Sequence, residues 1–314
     1  TIWGASSSWT LTALPLFVWM GEILFRTKLS ENLFEGLAPW LQKLPGGLIH
    51  VNVVGCALFA AISGSSAATV ATVGKMSIPE LRKRKYPEKI LLGSLAGSGT
   101  LGLLIPPSII LIIYGVTVQE SIAKLFIAGI IPGIMIALIF MGYVIIWSLL
   151  NKNKMPLTEE NYSFLNKLSK SKQLIPVILL ILGVIGSIYT GIATATEAAS
   201  LGVVGALILS YFQKSLNLKT FKESLLGATK TSCMIAFILA GATFLSLAMG
   251  FTGLPRNLAI WIQNMELSPY VLIFVLMIFY IILGMFLDGI SAVVLTMAII
   301  EPMIRQAGFD MIWF

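Results

Sequence analysis

A run of small polar residues, Ser63-Gly64-Ser65-Ser66, interrupts an apolar stretch between Lys43 and Lys75. Glycine permits a tight turn, and a break in a helix leaves backbone carbonyl groups without helical hydrogen bonds. Carbonyl and hydroxyl oxygens are neutral, hard ligands that suit an alkali cation such as Na⁺. The run therefore predicts a cation site. The alternative is a small-residue surface on which two helices pack closely.

A second break follows within the apolar segment Ile90–Val118, which contains Ser98-Gly99-Thr100 and Pro106-Pro107-Ser108. Proline lacks a backbone donor and clashes with the preceding turn, so the prolines must interrupt this helix. Carbonyl groups released before them, together with Ser98, Gly99 and Thr100, could complete the shell of the same cation. A kink that serves only packing is the alternative.

Asp288 is the only aspartate within an apolar span. A charge at the bilayer centre costs about 2.5–3.5 kcal/mol on insertion scales, so such acids usually face a cavity or a partner. Asp288 is therefore predicted to bind a cation or to orient its own turn as an acceptor. Glu22 and Glu197 lie near predicted span ends and are expected to meet the interface or to cap helices. His50 and Asn52 are expected at the membrane interface.

Several other chemistries are disfavoured by the sequence. With a single histidine, His50, metal sites rich in histidine and hydrolysis through a histidine base have little support. Gly74-Lys75 is no ATP-binding P-loop, because Thr69 stands at the position of the first glycine and Met76 follows the lysine. The two cysteines lie in apolar stretches and are interpreted as core residues.

The composition predicts the elements that must hold these residues. Hydrophobic residues make up 57% and charged residues 11% of the chain, and the mean hydropathy is +0.92. This is the profile of an all-α polytopic membrane protein. The net charge is +7. On the predicted topology the lysines and arginines concentrate in alternate loops, as membrane orientation requires, so the basic charge is not interpreted as a nucleic-acid-binding surface. The predicted uninterrupted spans are Trp9–Phe25, Ile122–Leu150, Leu174–Tyr189, Glu197–Phe212 and Thr231–Gly250.

The segment Leu48–Ser77 is predicted to be a re-entrant helical hairpin, followed by a basic loop to Lys89. Its first arm, Leu48–Ile62, would be about 22 Å long as a helix, whereas the hydrocarbon core is about 30 Å thick. A single crossing would also place the basic run Lys75–Lys89 on the opposite side from Lys43, against the positive-inside tendency. Exposed backbone at the hairpin tip is tolerated only where it lines a protein-enclosed cavity.

The end of the chain repeats this pattern. Tyr270–Phe286 and Ala292–Ile300 are apolar arms around the break Leu287–Ser291, and Asp288 lies 223 residues after Ser65. Two short interfacial helices, predicted at Leu33–Leu41 and Leu254–Gln263, begin 221 residues apart. Since the first hairpin enters from the inside and the second from the outside, the sequence predicts an inverted repeat.

This repeat divides the chain into three parts. Residues 1–150 form the first repeat, residues 151–172 a cytoplasmic linker, and residues 173–314 the second repeat as far as its hairpin. The partner of the discontinuous helix Ile90–Val118 is expected to begin near residue 313. The remainder of the second half-site is therefore expected beyond Phe314.

Several separated motifs resemble, in order, those of the large membrane subunit of TRAP transporters, the tripartite ATP-independent periplasmic family. The motifs are Ile62-Ser63-Gly64-Ser65, Ile105-Pro106-Pro107-Ser108-Ile109, Ile113-Tyr114-Gly115, the run Phe126–Gly133, Thr196-Glu197-Ala198-Ala199 and Gly284-Met285-Phe286-Leu287-Asp288. The resemblance covers essentially the whole chain. One departure is Ala195, where family members usually have proline.

The resemblance implies a Na⁺-coupled importer of an organic acid, such as sialic acid or a C4-dicarboxylate, in the bacterial inner membrane. It implies an elevator movement of the hairpin-bearing domain, a small membrane subunit, a periplasmic binding protein and no enzymatic activity.

The residues that would carry this function follow from the same resemblance. One Na⁺ site falls on Ser63–Ser66 with Ser98–Thr100, and a second on Asp288, Gly289 and Ser291. Candidate substrate contacts are Ser65, Ser66, Pro106, Pro107 and Ser108. No cofactor other than the coupling ion is expected.

Two other functions remain open from the residues alone. A gated channel could use the Ser/Gly tips as its selectivity filter, although oppositely inserted hairpins suit alternating access better than a continuous pore. An intramembrane enzyme has little support from one histidine and two aspartates.

Overall fold

The computed structural model describes residues 9–27, 29–156, 163–172, 174–253, 257, 260 and 268–314. Over these residues the chain forms thirteen α-helices. In chain order they are α1 Ala13–Phe25, α2 Leu29–Leu41, α3 His50–Ser63, α4 Ser66–Lys83, α5 Glu88–Gly99, α6 Ile109–Thr117, α7 Ile122–Leu150, α8 Phe164–Ser171, α9 Ile175–Tyr189, α10 Ala195–Phe212, α11 Leu218–Thr252, α12 Pro269–Gly284 and α13 Gly289–Gln306. The predicted interfacial helix Leu254–Gln263 lies almost entirely outside the described residues.

Four of the described helices, α7, α10, α11 and α13, are long and apolar enough to cross a membrane. The bent pair α8 and α9 would add a fifth if it forms one span. Three further helices, α1, α12 and α3 with its preceding turn, are apolar but shorter. Together they confirm the predicted class, an all-helical polytopic membrane protein.

Three helices extend into segments that lie outside the predicted helical spans. Helix α4 continues to Lys83, so most of the basic run after Ser77 is helical. Helix α11 begins at Leu218, where the Asn217 side chain caps it by accepting a hydrogen bond from the Thr220 amide at 2.7 Å. The linker contains the amphipathic helix α8. Polar helix ends carry no apolar signal, which is why the predicted spans stop short of them.

Helix α1 lies at the centre of the first apolar core. It packs against α10, α11, α3 and α6, and its Phe17 ring meets Phe126 of α7 edge to face at 6.0 Å. A second apolar core is formed by α2, α3, α4 and α5, and includes Phe59, Leu81 and Leu91. The first core thus holds α1 with its neighbours and the second the segment from α2 to α5, while a separate apolar cluster packs α12 against α13.

Two helix pairs fold back on themselves. In the first, Gly55 of α3 lies beside Val73 of α4. These two residues are equally far along the chain from the turn at Gly64. In the second, the hydroxyl groups of Tyr280 and Thr296 share a hydrogen bond of 2.7 Å. These two residues are equally far along the chain from Asp288. The second arms, α4 and α13, each contain 18 residues and begin 223 residues apart, in agreement with the predicted repeat spacing.

Candidate functional site

The first turn is formed where α3 ends and α4 begins. Gly64 adopts a left-handed conformation with φ of 57°, and its amide bonds to the Ala60 carbonyl to close α3. Ser65 is the N-cap of α4, and its hydroxyl accepts a hydrogen bond from the Ala68 amide at 3.4 Å. Left-handed geometry favours glycine over residues with a Cβ. The sequence thus folds into a tight turn at the residues predicted to bind a cation.

Hydrogen bonds between hydroxyl and carbonyl groups stabilise this turn. Thr69 donates a hydrogen bond to the Ser65 carbonyl at 2.7 Å and shares one of 2.9 Å with the Ser63 hydroxyl. Thr69 is fully buried and Ser63 is 5% exposed. Thr69 was not among the predicted site residues, although its position four residues after Ser65 on a helix is the spacing at which such a contact arises.

The second break lies between α5 and α6. Helix α5 ends at Gly99, a 3₁₀ turn spans Thr100–Leu103, and α6 begins only at Ile109. The Ser108 hydroxyl donates to the Leu103 carbonyl at 2.5 Å, and the Pro106–Pro107 peptide bond is cis. The predicted interruption by the prolines is confirmed.

These two breaks touch each other through their backbones. The Ile109 amide donates to the Gly64 carbonyl across a distance of 3.4 Å. A Cβ atom on Gly64 would lie 2.8 Å from the Pro107 carbonyl oxygen, and one on Gly102 would lie 3.0 Å from the Ser65 carbonyl carbon. Only glycine allows this approach, so the pair of breaks forms one irregular unit.

The second folded-back pair reaches the same unit. Asp288 caps α13, since its carboxylate accepts hydrogen bonds from the amides of Ile290 at 3.1 Å and Ser291 at 3.2 Å. A Cβ atom on Gly289 would lie 2.9 Å from the Ile110 side chain and 3.5 Å from that of Leu103. Asp288 therefore orients its own turn, which is one of its two predicted roles, while its side chain remains exposed.

Two neighbouring helices support this unit through glycine contacts. A Cβ atom on Gly21 of α1 would lie 2.9 Å from the Ser63 Cα atom, and one on Gly129 of α7 would lie 2.9 Å from the Leu104 carbonyl oxygen. The backbone of each helix thus comes close to a break. We call the assembly of residues 63–66, 102–109 and 288–291 the break cluster.

Part of the predicted first ligand set does not join the break cluster. The buried Ser98 hydroxyl donates to the Ser94 carbonyl at 2.6 Å and reaches the Asn52 carbonyl at 3.3 Å. Thr100 is exposed, and its hydroxyl donates to the Gly97 carbonyl at 2.7 Å. Gly99 lies against Val70 of α4, and a Cβ atom on it would lie 3.8 Å from the Ser66 carbonyl oxygen of the first turn. Of the predicted residues in the proline break, Pro107 contacts the first turn through its carbonyl oxygen.

Asn52 and His50, predicted at the membrane interface, are fully buried within the protein. The Asn52 amide donates to the Leu91 carbonyl at 3.2 Å and to the Ser94 hydroxyl at 3.0 Å, which ties α3 to α5. The His50 Nε2 atom bonds to the Pro45 carbonyl at 2.8 Å. An apolar sequence context does not reveal that a neighbouring helix covers these residues.

Of the two glutamates near span ends, Glu197 caps a helix as expected, whereas Glu22 forms an ion pair within its own helix. Glu197 forms a capping box with Thr194 at the start of α10, with its carboxylate accepting the Thr194 amide at 2.8 Å. Glu22 forms an ion pair of 2.9 Å with Arg26 one turn later.

The break cluster brings helix ends of both polarities together. The last carbonyl groups of α3 have no intrahelical donors, so their oxygens are the kind of ligand that a cation prefers. The first turns of α4 and α6 carry the positive ends of helix dipoles, which favour anions, whereas that of α13 is already capped by the Asp288 carboxylate. Within the described part of the chain, no group of three or more His, Cys, Asp and Glu side chains could hold a metal ion. The arrangement suits an alkali ion and a carboxylate bound side by side.

Comparison with known proteins gives a consistent result. The family model described as the tripartite ATP-independent periplasmic transporter, DctM component, matches residues 1–314. The C4-dicarboxylate TRAP transporter large permease protein of Pseudomonas aeruginosa is 32% identical over 306 residues, covering 97% of this chain and 71% of that protein.

Relatives with other named substrates match at similar identity. The sialic acid TRAP transporter large permease protein of Vibrio cholerae is 30% identical over 314 residues, covering 99% of this chain and 72% of that protein. The isethionate TRAP transporter permease protein DctMQ of Oleidesulfovibrio alaskensis is 31% identical over 311 residues, covering 98% of this chain and 48% of that protein. The chain belongs to the DctM-component family of tripartite ATP-independent periplasmic transporters, a family of transport proteins and not of enzymes.

Proposed function

We propose that this chain is the core of a Na⁺-coupled secondary transporter that imports an organic acid. The observation that carries the proposal is the break cluster, in which both folded-back pairs place their turns against the same discontinuous helix, α5–α6. Transport sites of this kind lie between broken helices near the bilayer midplane. Because the chain aligns to about seven tenths of relatives such as the P. aeruginosa permease, the activity is proposed for a protein that contains this chain.

The cation would bind at the oxygens of the first turn. Ser63, Gly64, Ser65 and Ser66 bring hydroxyl and carbonyl oxygens to the end of α3, and Thr69 holds Ser63 in place. A second cation would bind near Asp288, Gly289 and Ser291. Carbonyl groups before Pro106 would contribute to the first site, whereas the hydroxyl groups of Ser98 and Thr100 donate to carbonyl groups of α5 and not to the first turn.

The organic acid would bind through its carboxylate at helix N-termini. Ser65 and Ser66 start α4, and Pro106, Pro107 and Ser108 precede α6. Amide groups at these ends are a ready site for an anion. The names of relatives specify a C4-dicarboxylate, sialic acid and isethionate, all of them acids, and we extend only this shared class to the present chain.

The two folded-back pairs would act as re-entrant hairpins of an inverted repeat and would move as part of an elevator domain. The seam between the two apolar cores is where such a movement would occur. A small membrane subunit and a periplasmic binding protein would complete the transporter in the bacterial inner membrane. The partial match to the protein named DctMQ, of which this chain covers 48%, fits a large subunit joined to a further part.

Reconstitution tests this function. We expect proteoliposomes with the complete transporter to accumulate succinate or sialic acid only with an inward Na⁺ gradient and the cognate soluble binding protein. Ser65→Ala and Asp288→Ala should each weaken the Na⁺ dependence, since each loses an oxygen that shapes its turn. Wild-type Na⁺ dependence in both variants would exclude the site assignment. Ohmic conductance without a gradient or a binding protein would instead support the channel.

A further inference from the structure

A polar cavity of about 970 Å³ opens beside the break cluster. Its wall is formed by the end of α1, by α2, by one face of α4, by α8 and by the start of α11. It therefore lies along the seam between the two apolar cores. By the positive-inside tendency, the basic residues at its rim assign it to the cytoplasmic side.

The cavity begins about one helical turn from the first turn of the break cluster. On α4, the lining residue Thr72 is three residues beyond Thr69, a rise of about 4.5 Å. On α1, the lining residue Phe25 is four residues beyond Gly21, which contacts Ser63. Two helices thus place the inner end of the cavity next to the proposed site.

One face of α4 runs from the turn along the whole cavity. Thr72, Lys75, Met76 and Pro79 all line it, and their spacing of three to four residues places them on one side of the helix. A molecule that leaves the first turn on this side would therefore move along this face.

Most of the charged groups in the cavity are already paired. Arg26 bonds to Glu22 at 2.9 Å and lies 3.9 Å from Glu223, and Arg84 lies 3.7 Å from Glu80. Lys75 and Glu35 are different: in the part of the chain that the structure describes, neither side chain has a hydrogen bond or ion pair, and both are exposed to the cavity. The lining carries four basic groups, on Arg26, Lys75, Arg84 and Lys170, and three acidic ones, on Glu35, Glu80 and Glu223, so its net charge is positive. Of the two groups without a partner, Lys75 is the one on the α4 face that leads to the first turn.

We propose that this cavity is an anion-binding vestibule in which Lys75 attracts the carboxylate of the transported acid between the break cluster and the aqueous phase. The chemical class of the ligand is an organic anion, and its identity as the transported acid rests on the proposed function. An unpaired ammonium group on the wall of a low-dielectric cavity raises the local concentration of anions and lowers that of cations.

Charged thiol reagents measure this potential without any transport. Thr220 of α11 lines the cavity opposite α4, so Thr220→Cys places a reporter there, in a Cys233→Ser background because Cys233 is the exposed native thiol. The full transporter in inside-out vesicles would be treated with the methanethiosulfonate reagents that carry a sulfonate or a trimethylammonium group. We expect the sulfonate to react faster than the cation, after correction for their rates with a free thiol.

Removal of the charge should change this ratio. We expect Lys75→Gln to lower the sulfonate-to-ammonium ratio about three- to tenfold, with a smaller effect in high salt. Lys75→Arg keeps the charge and should keep the ratio. Lys89→Gln removes an exposed cation that does not line the cavity and should also leave it unchanged. Equal sulfonate-to-ammonium labelling ratios for the protein with Lys75 and for the Lys75→Gln variant would overturn the proposal.

Succinate uptake by the same variants separates this inference from the proposed function. Bound succinate should slow the labelling of the cysteine introduced at Thr220. If Lys75 attracts the substrate, Lys75→Gln should weaken this protection from labelling while leaving the Na⁺ dependence of uptake intact. Succinate protection unaffected by Lys75→Gln would contradict the role of Lys75. Absence of Na⁺-driven uptake with a normal labelling ratio would contradict the transport proposal and support the vestibule.

Discussion

At the scale of single residues, the break cluster depends on two features, glycines where backbones meet and hydroxyl groups that brace the turn. Gly64 and Gly102 allow the backbone contact with the α5–α6 break, and Thr69 links the Ser63 hydroxyl to the Ser65 carbonyl. The serines and Gly64 were identified from residue type alone. Thr69 was not, because threonine within an apolar helix commonly bonds to its own backbone.

Gly64→Ala should destabilise the protein and abolish uptake. Alanine in a left-handed conformation costs about 1–2 kcal/mol, and its Cβ atom would meet the Pro107 carbonyl at 2.8 Å. Thermal unfolding in detergent measures the loss. Gly183→Ala in α9 is the matched control, since no atom beyond its own helix backbone lies within 4 Å of the position that the added methyl group would occupy. An equal melting temperature for both variants would contradict the strained turn.

Thr69→Val tests the brace at nearly constant volume. We expect a loss of about 0.5–1.5 kcal/mol in stability and a several-fold higher Na⁺ concentration for half-maximal uptake, because the Ser63 hydroxyl loses its shortest hydrogen bond and the Ser65 carbonyl loses a donor. Thr100→Val removes an exposed hydroxyl that bonds only to the Gly97 carbonyl and should leave both values unchanged. If Thr100→Val has the larger effect on Na⁺ dependence, the prediction of Thr100 as a ligand is correct.

At the scale of helices, Arg305 ties the end of α13 to the end of α6. Its guanidinium donates to the Val118 carbonyl at 2.9 Å, pairs with Glu301 at 2.9 Å and lies 3.8 Å from Glu120. Close by, the Tyr114 hydroxyl donates to the Met311 carbonyl at 2.6 Å. The second folded-back pair is thus fixed to the discontinuous helix at the end far from Asp288 as well as at Gly289.

Replacing Arg305 by methionine should lower stability by about 1–2 kcal/mol, because a bond to a backbone carbonyl is lost together with two partly exposed ion pairs. Arg82→Met provides the comparison. Arg82 pairs with Glu88 where both side chains are more than half exposed, so the effect should stay within about 0.5 kcal/mol. Chemical unfolding in detergent measures both, and similar losses would contradict a specific role for Arg305.

At the scale of the whole molecule, the exposed apolar side chains of α7 indicate a surface that faces lipid. Leu138, at mid-helix, is 60% exposed, and Leu150, at the end, is 80% exposed. We expect Leu138→Lys to reduce insertion, because a central charge costs about 2.5–3.5 kcal/mol. Leu150→Lys adjoins Lys152 at the interface and should insert normally. The alkali-resistant membrane fraction distinguishes them, and equal fractions would mean that α7 does not face lipid.

The sequence predicted the helical class, the α7 boundaries and the glycine and proline breaks, because apolar length and helix-breaking residues act locally. It did not predict which surfaces of α5 meet α3. Ser98 was placed near the cation, whereas packing against Asn52 turns its hydroxyl into the helix interface. It also missed the helical extension of α11, because polar helix ends resemble loops. Burial and side-chain direction depend on neighbouring helices, which a single sequence does not specify.

The polar seam between α1 and α4 has a mechanical consequence. Its walls carry polar and charged side chains, and the Arg26 ion pairs join residues of α1 and α11, on one wall only. If the proposed elevator movement takes place, α4 would therefore move past this stretch without breaking any of these ion pairs, while the apolar contacts of α1 with α3 would have to change. The two glycines that bring α1 to Ser63 and the broken helix to Ser65 present no side chains to obstruct such a shear. The resistance to such a movement would then come from apolar packing and not from the charges beside the proposed binding site.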